Sequence, residues 1–273
     1  MNLEKNKVFY EPWSFAIIED CLNKKEISQV KKEIVNCTNY DDRVMVNRKR
    51  IHKGSKNFQY LTKKSKAVKK IYNHMNTEKF YKKVRNLFDL SKLNWIPDSK
   101  YSSFSKNFYG EQEFSIKEKV IKKLSSLKLI KTLMSLDMDF SVSEKGYFRI
   151  PHRERDTKVM TFLIYLNTMK KAHGGALEIY KSKKNENFQN KYSRFPKKTE
   201  IKFLTKMPPK AGRMVIFFSS PDSYHAAEII KKSNLKRVFI YGAFALNKKV
   251  SWSRNKIKQS RPTGLDEREA QNP

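Results

Sequence analysis

The sequence is poor in cysteine and in acidic residues, and it contains no long apolar run. Its two cysteines, Cys21 and Cys37, are too few for a disulfide framework and lack metal-binding spacing, which favours a reducing compartment. No 18 consecutive residues are apolar, so we expect no membrane-spanning helix. The first residues also lack the apolar segment of a signal peptide, and we therefore expect a cytoplasmic protein.

Acidic residues are outnumbered by basic ones, 27 against 59, and the formal net charge is +32. A surface of this charge attracts nucleic acid, anionic lipid or acidic small molecules. Only 13 of the 59 basic residues are arginine, however, whereas phosphate and base recognition rely more on arginine than on lysine. An AT-rich codon bias also produces such a lysine excess. The charge therefore leaves both a nucleic-acid partner and a merely solvated surface open.

The pattern of apolar residues changes near residue 136. Before it, apolar residues recur at helical spacing, and residues 9–22 favour extended structure because they combine Pro12 with aromatic and β-branched residues. Ser115 and Glu118 have the spacing of a capping box. The segments for which the spacing predicts helices are 24–37, 66–75, 77–90 and 115–136.

After residue 136, short apolar segments alternate with glycine and proline turns. Seven such segments without helical stripes between them predict an antiparallel sandwich or barrel-like roll. The lysine-rich insert 181–208 is predicted to be a surface loop with a short strand at 199–204. We divide the chain into a helical and strand support region (1–135), a β core of the same domain (136–250) and a polar C-terminal tail (251–273).

His152 and Glu154 form an H-x-E pair just before the apolar segment 158–167. In extended backbone, residues two apart project to the same side, so both side chains can face one ion. His225, at the start of a later strand, supplies a third ligand. Two imidazoles and one carboxylate are the facial triad of non-haem Fe(II) oxygenases. Asp156 is the alternative carboxylate ligand.

Arg237 opens the apolar segment 237–246, where a lone charge is costly unless it is paired. An anionic ligand is the natural partner, because a guanidinium binds a carboxylate with two hydrogen bonds. Tyr165 lies on the same alternating face as Thr161, and its hydroxyl is positioned to donate to the same carboxylate.

The order of these motifs resembles that of the Fe(II)/2-oxoglutarate-dependent dioxygenases, most closely the branch of prolyl 4-hydroxylases and their microbial and phage relatives. The motifs are the H-x-E pair, "TFLIYLN", "GGALEIY", "PKAGRMVIFFSS", His225 and Arg237. The N-terminal "PWSFAIIEDCLNKKEISQVKKEI" is similar to the opening of that family. The resemblance covers most of residues 10–248.

This resemblance implies a mainly β, α+β fold: a double-stranded β-helix (a cupin-like jelly roll) with N-terminal helices packed on it. It implies Fe(II) held by His152, Glu154 and His225, with O2 as the oxidant and ascorbate as the reductant. It also implies that 2-oxoglutarate becomes succinate as the substrate is hydroxylated. It further implies that Arg237 and Tyr165 hold the cosubstrate and that Thr161 belongs to the same binding site.

The sequence departs from the family pattern at two positions. The family usually has Asp where this chain has Glu154, and it often has Ser or Thr where this chain has Phe239. Tyr241, on the same face of the strand, is the candidate that compensates for the second departure.

By analogy with the family, the predicted substrate is a proline in a peptide or protein. A small molecule, a glycan or a nucleobase are alternatives within the same chemistry. The alternative from a different functional class is a basic nucleic-acid-binding protein whose roll is not catalytic. The basic stretch 47–61, with interleaved aromatic residues, is typical of nucleic-acid channels or of a mobile loop near an active site. Arg149, Arg153 and Arg155 either attract an acidic substrate or offset nearby acids.

Overall fold

The computed structural model describes residues 1–38, 40–45, 47–107, 131–183, 193–232 and 234–255. The helices are α1 (Lys24–Val35), α2 (Lys56–Lys64), α3 (Lys66–Met75) and α4 (Glu78–Arg85). The strands are β1 (Asn6–Phe9), β2 (Phe15–Ile18), β3 (Asp42–Met45), β4 (Arg48–His52), β5 (Trp95–Asp98), β6 (Ser103–Ser105), β7 (Leu133–Ser143), β8 (Arg149–His152), β9 (Lys158–Tyr165), β10 (Leu177–Ser182), β11 (Ile201–Met207), β12 (Met214–Phe218), β13 (His225–Ala227), β14 (Arg237–Leu246) and β15 (Ser251–Arg254).

The larger sheet has the strand order β1-β2-β12-β9-β14-β7-β4-β3, and β6 runs parallel to the start of β7. Its centre is the antiparallel pair β7 and β14, in register from Arg237 opposite Ser143 to Leu246 opposite Met134. Because side chains alternate across a strand, these two long strands present one face to the helices and the other to the second sheet.

The smaller sheet has the order β11-β10-β13-β8 and packs on the inner face of the larger one. From β7 onward the chain passes repeatedly between the sheets, with β7, β9, β12 and β14 in the larger and β8, β10, β11 and β13 in the smaller. Side chains of both sheets share one apolar cluster, which includes Val215 and Phe217 from the larger and Leu177 and Ile179 from the smaller. This is the predicted double-stranded β-helix, and all seven predicted strands of 138–246 are confirmed.

The helices cover the outer face of the larger sheet. Their apolar stripes join the main core, with Phe58 stacked on Phe140 at 5.3 Å between ring centroids and Phe80 edge-on to Phe162 at 6.2 Å. Each helix begins at a residue whose side chain accepts from the third helical backbone N–H, the arrangement that stabilises helix starts. The capping residues are Asn23, Ser55, Ser65 and Thr77. The predicted helices at 24–37, 66–75 and 77–90 are confirmed, the first and last with shorter C-termini.

Three predictions about local structure need correction or fall outside the described residues. The predicted helix 115–136 is wrong over its last four residues, Leu133–Leu136, because they pair with β14 and β6 as part of β7; its residues 115–130 lie outside the described chain. The basic stretch 47–61 is not a loop: it forms β4, paired with β7, and the start of α2. Residues 251–254 of the predicted tail form β15, paired with β5, and residues 256–273 lie outside.

The lysine-rich insert 181–208 is more ordered than predicted at its end. The strand expected at 199–204 appears as β11, which extends to Met207 and pairs with β10. Residues 184–192 of the insert are outside the described chain. Within the described residues, no helix is both long and apolar enough to cross a membrane.

Candidate metal and cosubstrate site

Two histidines meet at one end of the smaller sheet. Strands β8 and β13 pair antiparallel, and their register puts His225 directly opposite His152. The ring centroids are 4.5 Å apart, and the two residues are only 6% and 7% exposed. Strand pairing thus brings together two side chains that are far apart in the sequence.

Each histidine directs its Nε2 toward the space between the two rings. Nδ1 of His152 lies 2.9 Å from the carbonyl oxygen of Ile150, and Nδ1 of His225 lies 2.9 Å from that of Ser223. Because a carbonyl only accepts, each Nδ1 carries the proton and each Nε2 keeps a lone pair. A second hydrogen bond of this kind orients metal-binding histidines in proteins. Burial and the adjacent His225 hold the pKa of His152 well below its usual range, which keeps the imidazole neutral.

Glu154 completes the cluster from the turn after β8. Its Oε1 is 3.6 Å from Nε2 of His225, and one ligand atom from each of His152, Glu154 and His225 lies within 4.8 Å of the others. All three residues are buried. We call them the ligand cluster. Two neutral imidazoles and one carboxylate are a suitable donor set for Fe(II). Asp156 is not part of it: its carboxylate is 46% exposed and forms an ion pair with Arg153 at 2.5 Å.

The second carboxylate oxygen of Glu154 is held by two further side chains. Nζ of Lys158 lies 2.9 Å from Oε2 of Glu154, and the hydroxyl of Tyr241 donates to the same oxygen at 3.2 Å. The Lys158 ammonium also contacts the Tyr241 hydroxyl. Burial raises the pKa of Glu154, but the Lys158 charge and the interactions with His225 and His152 together outweigh it, and the pKa lies well below its usual range. Glu154 is therefore ionised and has Oε1 directed toward the histidines.

A second polar pocket surrounds Arg237 at the start of β14. The residue is 2% exposed, and its guanidinium lies over the rings of Phe239 and Tyr165, at 4.6 and 5.3 Å from their centroids. Its Nη2 donates to the Tyr165 hydroxyl at 3.3 Å. Within the described part of the chain, its Nε has no hydrogen-bond partner and no acid pairs with it. A buried guanidinium without an acid is costly, so this pocket suits an anionic ligand.

Ser143 faces Arg237 across the strand pair β7–β14 and is fully buried. Its hydroxyl also lacks a hydrogen-bond partner among the described residues. A polar ligand group between these adjacent strands would satisfy both buried atoms. Ser143 therefore offers the hydroxyl that Phe239 cannot supply. Ser143 was not predicted, because the residue that pairs with Arg237 across the sheet is not visible in the sequence.

The other two predicted cosubstrate residues lie elsewhere in the core. Tyr241 contacts Glu154 and Lys158. The hydroxyl of Thr161 is 3.0 Å from that of Ser219 and is buried. The structure thus brings Tyr165 against Arg237 but gives Tyr241 and Thr161 other partners. Their part in cosubstrate binding stays a prediction.

The β core is similar to a known enzyme superfamily. The model of the 2OG-Fe(II) oxygenase superfamily matches residues 138–245, the segment that contains the ligand cluster and Arg237. Enzymes of this superfamily are dioxygenases that use iron and 2-oxoglutarate, as the motif order implied.

Three solved structures align with most of this chain. The 2-oxoglutarate-dependent epimerase SnoN from nogalamycin biosynthesis aligns with 94% of this chain and 82% of its own, with 10% identity and a TM-score of 0.50. A prolyl 4-hydroxylase from Pseudomonas putida aligns over 86% and 93%, with 14% identity and a TM-score of 0.46. HygX from Streptomyces hygroscopicus aligns over 86% and 84%, with 9% identity and a TM-score of 0.48. No curated protein matches the sequence.

Proposed function

We propose that this oxygenase holds Fe(II) with His152, Glu154 and His225 and uses 2-oxoglutarate to hydroxylate an unactivated C–H bond. The observation that supports this proposal is the buried ligand cluster, in which two Nε2 lone pairs and one ionised carboxylate converge within 4.8 Å. When bound, Fe(II) supplies oxidising chemistry in which O2 gives one oxygen atom to 2-oxoglutarate, leaving succinate and CO2, and the other to the substrate.

The chain's own residues prepare the ligand cluster for a cation before any substrate arrives. The carbonyls of Ile150 and Ser223 fix the tautomers of His152 and His225, so no proton must leave a ring when the metal binds. Lys158 holds Oε2 of Glu154 and leaves Oε1 toward the histidines. The facing ligand atoms therefore need little rearrangement to bind a metal.

The cosubstrate anchor is the pocket of Arg237. In this proposal the guanidinium pairs with the 5-carboxylate of 2-oxoglutarate, and the hydroxyls of Tyr165 and Ser143 donate to the same group. The unsatisfied Nε of Arg237 and Oγ of Ser143 support this assignment, because a carboxylate accepts from both.

Aromatic side chains line the ligand cluster on the side of the β-helix core. The ring of Phe217 is 4.8 Å from that of His225, and the ring of Trp13 is 6.4 Å away. Both are nearly inaccessible to solvent. They exclude water from one side of the site, which strengthens charge interactions and limits side reactions.

For the substrate, we propose a proline in a peptide or protein, with a small molecule, glycan or nucleobase as alternatives. The order of the sequence motifs, most similar to the prolyl 4-hydroxylase branch, supports the first of these. Ascorbate is proposed as the reductant that keeps the iron ferrous.

The test is succinate formation from 2-oxoglutarate by Fe(II)-loaded protein in air with ascorbate and no added substrate. Wild type is measured beside Glu154→Ala, Asp156→Ala and Arg237→Ala, and Mn(II) binding is followed by electron paramagnetic resonance. We expect turnover and tight Mn(II) binding to survive in Asp156→Ala and to be lost in Glu154→Ala. Arg237→Ala should retain Mn(II) but lose turnover. Wild-type protein that binds no Mn(II) sinks the proposal.

A further inference from the structure

Several guanidinium groups gather beside the ligand cluster. Arg194 follows the undescribed part of the lysine-rich insert, and its backbone carbonyl accepts from the N–H of Arg153 at 3.0 Å. The preceding Ser193 accepts from the hydroxyl of Tyr224, the neighbour of His225, at 2.9 Å. Residues 193–195 are thus tied to both chain segments that carry the ligand cluster.

The environment of Arg194 is strongly positive. Burial lowers the pKa of Arg194, and the positive charges of Arg155 and Arg149 lower it further, while Glu154 acts in the opposite direction. Like charges affect one another in this way only at short range. Arg149 also lowers the pKa of His152. Arg149 and Arg155 therefore lie close enough to Arg194 to add to its positive surroundings, and Arg194 lies close enough to Glu154 to feel its charge.

Both carboxylate oxygens of Glu154 are directed to groups other than Arg194. Its Oε2 is already in an ion pair with Lys158, and its Oε1 is directed toward His225. The Nε of Arg194 is buried and has no hydrogen-bond partner among the described residues. A guanidinium donor that is shielded from water and unpaired, next to further cations, favours an incoming anion.

An aromatic ring accompanies Arg194. The guanidinium of Arg194 lies over the ring of Phe195, 5.2 Å from its centroid. The same ring is 6.3 Å from that of His152, and Phe195 is 46% exposed. An exposed aromatic surface between the arginine and the ligand cluster is suited to packing against the carbon skeleton of a bound molecule.

We propose that Arg194, with Arg149 and Arg155, binds an anionic group of the substrate while Phe195 packs against the adjoining carbons. The bound group is a carboxylate or phosphate ester next to the carbon to be hydroxylated, carried by the peptide beside the proline or by one of the alternative substrates. This inference rests on the proposed function, because it takes the ligand cluster as the reacting centre. Arg194 is a specificity residue and Arg237 remains the anchor of the cosubstrate.

The experiment measures anion binding by calorimetry to Mn(II)-loaded full-length protein saturated with 2-oxoglutarate, which fills the Arg237 pocket. Inorganic phosphate and acetate are titrated in separate arms, so that the tighter one tells a phosphate site from a carboxylate site. Wild type is compared with Arg194→Gln and with Lys198→Gln, which removes an exposed charge from the same segment. We expect affinity to fall about tenfold in Arg194→Gln, as for the loss of one charged hydrogen-bond partner, and to be unchanged in Lys198→Gln.

A second readout locates the anion. Bound Mn(II) should enhance the 31P relaxation of phosphate in wild type and not in Arg194→Gln. Equal affinity in wild type and Arg194→Gln, or no binding of either anion, overturns the inference. Protein that fails to take up Mn(II) contradicts the proposed function instead, and the calorimetric comparison without metal still decides whether Arg194 binds anions.

Discussion

Lys158 and Glu154 form an ion pair of 2.9 Å whose side chains are only 12% and 6% exposed. The pair joins the first residue of β9 to the carboxylate of the ligand cluster, four residues earlier in the chain. The positive charge of Lys158 therefore stabilises the Glu154 carboxylate beside the position proposed for a divalent cation.

Replacing Lys158 by methionine should distinguish its effect on the stability of the metal-free protein from its effect on cation binding. The buried Glu154 carboxylate loses its counter-charge, and we expect the metal-free protein to lose about 3 kcal/mol of unfolding free energy. A bound divalent ion restores that counter-charge, so Mn(II) should raise the melting temperature more in Lys158→Met than in wild type. Differential scanning fluorimetry with and without Mn(II) measures this, with the exposed Lys79→Met as control. An equal metal-induced shift in both proteins contradicts the expectation.

Arg237→Met should abolish the response to 2-oxoglutarate and leave metal binding intact. Removing a buried charge from a charged pair costs about 2–5 kcal/mol, or at least about 30-fold in affinity. Ser143→Ala removes one hydroxyl, and the affinity should fall only about threefold to tenfold. Calorimetry of 2-oxoglutarate binding to Mn(II)-loaded protein gives both values. If Ser143→Ala binds like wild type, its hydroxyl does not face the cosubstrate.

Asp222 should make the protein less stable as the pH rises from 4 to 7. Burial raises the pKa of Asp222 from its ordinary 3.8 to about 6, against the hydrogen bond from Ser220. The folded state therefore binds the proton more tightly than the unfolded state. Unfolding free energy is lost between these two pKa values and is level above about pH 6, with a total of about 3 kcal/mol.

The variant Asp222→Asn keeps an oxygen for the Ser220 hydroxyl and cannot ionise. Urea unfolding at several pH values should show the wild type losing stability relative to Asp222→Asn between pH 4 and 6. A constant difference between the two proteins across this range would falsify the assignment of a raised pKa to Asp222.

Gly242→Ala should destabilise the protein strongly. A Cβ at this position of β14 would lie 2.0 Å from Cζ of Phe162, in the interface between sheet and helices. Phe162 is fully buried against Phe80 and Phe244 and has no space to move. We expect a loss of about 3 kcal/mol or more in chemical unfolding. Gly54→Ala, where nothing lies within 4 Å, serves as the control, with a smaller loss from its positive φ.

The β core was the most predictable part of the chain, because its short apolar segments are separated by glycine and proline turns. The helical spacing of residues 115–136 was misleading at its end. Leu133–Leu136 are apolar enough for a helix or a strand, and they form a strand because this segment pairs with β14. The basic stretch 47–61 suggested a nucleic-acid channel or a mobile loop, whereas Arg48 and Arg50 of β4 are directed to the buried Asp139. Such long-range ion pairs are not visible in local patterns.

The convergence of His152, Glu154 and His225 was predictable from strand geometry and motif order. The residues that support this cluster were harder to predict from the sequence. Lys158 had a signal, a lone charge four residues after Glu154 at the start of an apolar strand. Arg194 and Phe195 had none, because tertiary hydrogen bonds from Arg153 and Tyr224 to residues 193 and 194 place them beside the ligand cluster.

The pairing of β8 with β13 also has a consequence for the growing chain. This pairing brings together His152 and His225, which are 73 positions apart in the sequence. During translation, His152 and Glu154 leave the ribosome long before β13 has been synthesised. A nascent chain without β13 therefore cannot assemble the three-ligand cluster, and if the cluster holds a metal as proposed, tight metal uptake would mark the completed fold.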